Sequence, residues 1–118
     1  MKVDNTVPEE LKSKVSKWSN QALKQALSKV SEEVKVSSDK FSGKVLEART
    51  DTSLHDVYIV IDVEIVAPKD AVIRPELGTT FDFAVVLSVA AFVNMQTFVS
   101  EFTRMFTGTF LPYTVKYA

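Results

Sequence analysis

The chain has 118 residues, enough for one domain with a modest core and too few for two. Its 14 basic and 15 acidic residues leave a formal net charge of −1, which excludes a global electrostatic drive toward nucleic acid or anionic membrane but permits a local patch. With no cysteine there is neither a disulfide nor a zinc-thiolate site, and the single histidine, His55, cannot furnish a multi-histidine metal site.

The opening MKVDNTVPEELKSK lacks an apolar h-region and does not read as a signal peptide. Thr6 and Glu9 have the spacing of a capping box, with Pro8 tolerated in the first turn, and predict a helix over 6–36. Leu11, Val15, Trp18, Ala22, Leu23, Ala26, Leu27, Val30 and Val34 recur at steps of three and four. They form one broad apolar stripe opposite Lys12, Lys17, Lys24 and Ser28. Ser19-Asn20 could divide the segment, since both residues prefer caps to helix interiors; one long helix is the reading adopted. Glu9, Glu10, Glu32 and Glu33 partly cancel the lysines, which favours a solvated face over a nucleic-acid stripe, and Trp18 on the apolar side reads as a core or interface anchor.

Ser37-Ser38-Asp39 ends this helix, and an antiparallel sheet is predicted over 41–92. Phe41 to Thr50 and Asp56 to Val66 form two strands joined by DTSLH, a polar connection suited to a hairpin, in which His55 is solvent-exposed. In the second strand Val57, Ile59, Ile61, Val63 and Ile65 share one face, and Tyr58, Val60, Asp62 and Glu64 the other. In the first, Phe41, Val45 and Leu46 cannot all share a face without a bulge. Residues 67–77, APKDAVIRPEL, read as a long loop leading to a third strand in which Phe81, Phe83, Val85, Leu87 and Val89 alternate with Asp82, Ala84, Val86 and Ser88. The most apolar run, Phe83 to Val93, is about half of the roughly 20 residues that span a bilayer, and fits a soluble core.

From Asn94 the period lengthens. Met95, Phe98, Val99, Phe102, Met105 and Phe106 predict an amphipathic helix over 94–107, with Asn94 as N-cap, Gly108 at the C′ position and a tail over 109–118. That much aromatic surface exceeds what three strands can cover, so a partner subunit is the first candidate for burying it. The fold class expected is α+β, in one domain over 1–118. It comprises a long N-terminal helix, an antiparallel hairpin plus a further strand, and a C-terminal amphipathic helix, the sheet being dimeric with helices packed on one face.

Asp62, Glu64 and Asp82 are the best case for chemistry, because clustered carboxylates can serve acid–base work or bind a hard cation. No glycine-rich phosphate loop and no nucleophile motif accompanies them, and there are only three glycines. The expectation is a protein that is not an enzyme, with no catalytic or metal-ligating residue and no cofactor.

Phe41 to Phe106 resembles the coat proteins of single-stranded RNA bacteriophages. FSGKVLEARTDTSLHDVYIVIDVEIVAP is similar to that family's central hairpin, with an aromatic before the alternating strand and a proline after it. TTFDFAVVLSVAAFVNMQTFVSEFTRMFTG is similar to its last strand followed by a polar-capped helix, while the helical N-terminus is atypical. The resemblance implies a homodimer in which helices of one subunit pack across the sheet of the other, and a self-assembled icosahedral shell enclosing genomic single-stranded RNA. Such a virion is assembled in the host cytoplasm, with no membrane and no small-molecule substrate involved. Its RNA-facing sheet surface would fall on Lys44, Tyr58, Val60, Asp62, Glu64, Asp82, Val86 and Ser88, and its dimer interface on Met95, Phe98, Phe102 and Phe106. The 67–79 loop would line the shell's symmetry axes. The alternative is a non-viral dimeric adaptor or secretion-chaperone-like protein that binds a client polypeptide.

Overall fold

The computed structural model describes residues 1–52 and 56–116. The last three residues of the DTSLH connection, and with them the reading of His55, lie outside the described residues. Among those described, two helices and a four-stranded mixed sheet run in the order β1 (Lys2–Val3), α1 (Glu9–Val34), β2 (Ser42–Asp51), β3 (Tyr58–Val66), β4 (Thr80–Ser88) and α2 (Met95–Phe110). In space the sheet keeps the order β1-β2-β3-β4. The α+β class and both helices are as expected. The fourth strand is not: Lys2 and Val3 pair in parallel with Glu47 and Ala48 of β2, and two residues carry no period from which to read a strand.

The entry into α1 differs from the expected capping box. Pro8 occupies the N-cap without a side-chain bond, and Glu9 turns forward to Lys12 at 2.9 Å rather than back to Thr6. Thr6 is engaged elsewhere. Its N–H donates to Asp4 Oδ1 at 2.8 Å, and its hydroxyl accepts from the N–H of Thr50 on β2 at 3.3 Å. A local cap has been exchanged for a turn that ties the start of the chain to the sheet. α1 then passes through Ser19-Asn20 unbroken, because Val15, Ala22, Leu23, Ala26 and Val30 on either side are buried and tertiary burial overrides a weak local preference.

The strands follow their period. Ile59, Ile61, Val63 and Ile65 are fully buried, and each contributes roughly 1.5–3 kcal/mol by leaving water. Cross-strand register sets them opposite Thr50, Ala48, Val45 and Gly43 of β2, and Leu87, Val85, Phe83 and Phe81 of β4. A bulge lies between Val45 and Glu47; it leaves Leu46 as the extra residue, exposed, while Phe41 and Val45 are buried.

Both helices touch this apolar face. At Gly43 the backbone of β2 comes so close to α1 that a Cβ would lie 2.8 Å from Ile65 Cδ1, 3.1 Å from Leu27 Cδ1 and 3.3 Å from Leu23 Cδ2. From α2, Phe106 meets Phe83 with ring centroids 5.2 Å apart, and Phe110 meets Phe81 at 5.3 Å.

The 67–79 segment is less loop-like than its prolines suggest. It holds two 3-10 turns, Lys69–Ala71 and Pro75–Leu77, buries Ala71 and Val72, and is pinned to the chain's last described residues. Ile73 N–H donates to Tyr113 and Val115 N–H to Ala71, bracketing a bridge between Val72 and Thr114.

β4 leads to α2 through a 3-10 turn, Val89–Val93. Asn94 caps α2 as expected, its side chain accepting from Thr97 N–H at 2.8 Å. The C-terminus is a correction: Gly108 is not the C′ residue, for the helix continues to Phe110 and is followed by a further 3-10 turn. No helix of the described residues is long and apolar enough to cross a membrane.

Candidate functional surface on the sheet and its open edge

Because side chains alternate along a strand, burying Ile59, Ile61, Val63 and Ile65 turns Tyr58, Val60, Asp62 and Glu64 to the opposite face. Register then sets Tyr58 between Asp51 and Ser88, Val60 between Arg49 and Val86, Asp62 between Glu47 and Ala84, and Glu64 between Lys44 and Asp82. The eight residues read from the sequence as one surface, Lys44, Tyr58, Val60, Asp62, Glu64, Asp82, Val86 and Ser88, therefore lie together on it. Val60 at its centre is only 5% exposed.

The electrostatics of this face are acidic. Lys44 and Arg49 stand among Glu47, Asp51, Asp62, Glu64 and Asp82, two cations against five carboxylates. Both cations are engaged: Lys44 Nζ lies 3.5 Å from Glu64 Oε1, and the Arg49 guanidinium pairs with the Asp62 carboxylate. Glu64 and Asp82 are direct cross-strand neighbours of like charge, an unfavourable pairing that the Lys44 ammonium offsets. Among the described residues no group of three or more carboxylate or histidine side chains is placed to hold a metal ion.

The aromatic residues assigned to an interface lie elsewhere. Phe98, Phe102, Phe106 and Phe110 follow one another at i, i+4 spacing and are all fully buried within the single chain. Their ring centroids are 6.0, 6.2 and 5.7 Å apart in succession, and the row is closed by Trp18 of α1 and Phe92 at one end and by Phe81 and Phe83 of β4 at the other. The premise that three strands could not cover this surface left out α1, which covers much of it. Met95 alone of the four interface candidates is exposed, at 39%.

Two features were not read from the sequence. β4 ends the sheet, and none of its nine residues is Lys, Arg or Pro. Among the described residues its register with β3 is free of bulges, and no hydrogen bond reaches its outer edge. Beside the start of this edge lies a groove of about 270 Å³, lined by Val72, Ile73, Leu77, Phe81 and Tyr113 with Arg74 at the rim. Ile73, Leu77 and Tyr113 are each more than half exposed. The lack of Lys, Arg and Pro in TFDFAVVLS, whose one charge is Asp82, was legible in the sequence, but the strand's position at the edge was not.

Comparison of the chain with protein-family models, with curated proteins and with solved structures gave no match.

Proposed function

We propose that this chain is a structural coat protein of the single-stranded RNA bacteriophage kind, whose dimers self-assemble into an icosahedral shell around genomic RNA. The observation that carries the reading is β4. A nine-residue edge strand with no Lys, Arg, proline or bulge, and with Asp82 as its one charge, is a template for a further strand, and soluble proteins normally blunt such edges more fully. Antiparallel pairing of β4 with its own copy is self-complementary about a two-fold axis. It yields one dimeric sheet, with the helices of both protomers on one face and the acidic surface on the other. The dimer contact thereby moves from the Phe98, Phe102 and Phe106 row, which supports each protomer's own core, to the sheet edge. The resemblance of Phe41 to Phe106 to coat proteins accords with this arrangement.

Purified protein viewed by negative-stain electron microscopy should contain closed shells, and those shells should have the high 260-to-280 nm absorbance ratio of packaged nucleic acid. Nucleic-acid-free material that never exceeds a dimer would overturn the reading.

One observation favours the alternative of a dimeric adaptor or secretion-chaperone-like protein. The groove at Ile73, Leu77 and Tyr113 adjoins the open edge, and an extended client adding to β4 would set a side chain into it. The same micrographs decide between the two, since an adaptor stops at a small oligomer.

A further inference from the structure

The open edge of β4 runs between two apolar surfaces that the chain leaves in water. Beside its start lies the groove of about 270 Å³, whose wall Leu77 is 74% exposed. Beyond its end the 3-10 turn Val89–Val93 presents Val89 and Val93, the latter 70% exposed. From Phe83 to Ser100 there is no charged residue, so this turn meets an apolar wall with no ion to desolvate. Exposed apolar surface of this kind marks a contact, and the strand between the two patches decides which.

The Thr79 carbonyl accepts from Ala67 N–H at 2.9 Å, in the same register as the β3–β4 pairing. Backbone groups alternate in direction along a strand. Phe81, Phe83, Val85 and Leu87 therefore bond to β3, while Thr80, Asp82, Ala84, Val86 and Ser88 turn their N–H and C=O groups to the open edge. A second β4 must oppose even-numbered residues to even-numbered ones. With the two-fold axis through Ala84 all five outward residues find partners: Thr80 the partner's Ser88, Asp82 the partner's Val86, and Ala84 its own copy. An axis shifted by one residue leaves Ser88 or Thr80 unpaired, and one through Asp82 sets two carboxylates face to face. Centred on Ala84, the pairing sets the partner's Leu87 opposite Phe81. The partner's Val89 follows opposite Thr79, which brings the turn it begins up to Gly78, Leu77 and the groove.

We infer that the two-fold axis of the dimer passes through Ala84 and that the groove of each protomer is filled by the Val89–Val93 turn of its partner. This rests on the reading of β4 as the dimer contact and deepens it. One rotation brings the two exposed patches together twice, so each protomer both offers a turn and receives one. The groove is then closed in the dimer and takes no client, and the open face of the sheet is left as it stands in the single chain.

The chain has no cysteine, so introduced thiols are the only ones present. Ala84→Cys should be joined into a covalent dimer by dibromobimane, which links adjacent thiols, because the two Cα atoms of a mutually bonded pair lie about 5.5 Å apart. Val86→Cys should not, since it stands about 14 Å from its own copy across that axis. Leu77→Cys/Val93→Cys should be joined by a short bismaleimide, and neither single variant should be. That link forms only between chains, because the length of β4, about 27 Å, separates the two positions within one. Val93→Asp should weaken dimerisation at least ~10-fold in sedimentation, with the monomer's thermal midpoint unchanged because the side chain is exposed there. Linkage of Ala84→Cys with none in the Leu77/Val93 pair, and a Val93→Asp dimer as tight as wild type, would overturn the groove contact while the β4 dimer stands. Linkage of Val86→Cys in place of Ala84→Cys moves the axis and overturns the register. A bismaleimide that joins Leu77→Cys to other polypeptides of a cell extract, and not to a second copy, gives the groove to a client and overturns the inference. A wild type that sediments as a monomer at every concentration removes the dimer on which the coat reading itself stands.

Discussion

Phe102→Ala tests whether the aromatic row of α2 is buried by the chain itself. The ring is fully buried and sits between Phe98 at 6.0 Å and Phe106 at 6.2 Å, in the middle of a row held on both sides by other elements. Truncation removes the ring's transfer free energy and leaves a cavity whose rigid aromatic neighbours close poorly, a loss of about 3–5 kcal/mol. A domain of this size is stable by roughly 5–15 kcal/mol, so the variant forfeits about a fifth or more of its margin. Its thermal midpoint should fall by about 10–20 °C, taking roughly 4 °C per kcal/mol for a chain of this length. The assay is urea unfolding followed by Trp18 fluorescence, at a dilution where light scattering finds monomer. The expected outcome is a folded wild-type monomer, a much lower midpoint for the variant and an unchanged denaturant slope. Two results would refute the reasoning: a wild type that unfolds on dilution to monomer, which would return the row to a partner, or a variant within about 1 kcal/mol of wild type.

Ala84 is the central residue of β4 and lies opposite Asp62. Ala84→Lys gains a carboxylate neighbour within the protomer but sets like charges close together across a two-fold axis, so light scattering should show monomer with thermal stability retained; a persistent dimer would exclude pairing through this edge. Gly108 is interior to α2 with open space around its Cβ position, and Gly108→Ala should stabilise the protein by about 0.5–1 kcal/mol in denaturant titration. Had it been the left-handed C′ residue, the same change would destabilise. The Asp4 carboxyl is held below its ordinary value chiefly by the Thr6 N–H that it accepts. Its folded pKa lies under its unfolded one, so the contribution is complete above the unfolded value and disappears as pH falls through the folded value. Asp4→Asn should therefore be less stable than wild type at neutral pH, and the difference in thermal midpoint should shrink as pH falls through the folded value.

What the sequence by itself determined were the properties that local periodicity encodes. An alternation of two over 58–66 and 80–88 decided which side chains share a face, and this is why Asp62, Glu64 and Asp82 were grouped before any contact was known, whereas the face of Lys44 was settled only by its pairing with Glu64. The conflict among Phe41, Val45 and Leu46 left that strand open between a bulge and an outward Leu46, while steps of three and four required both helices. Asn94 announced its cap because the bond that it makes reaches only three residues along the chain.

Tertiary structure decided every question that depends on a distant segment. Thr6 gave up a local cap because Thr50, 44 residues away, offered its backbone N–H. Phe110 carried α2 past Gly108 because Phe81 and Phe83 were waiting for its ring. An apolar stripe states that it must be covered and not by what: any surface of matching area removes it from water equally well, and burial free energy is non-directional. Trp18, the strand rings and α1 filled that role within one chain, which left β4, with its unpaired edge, as the surface still open to a second copy.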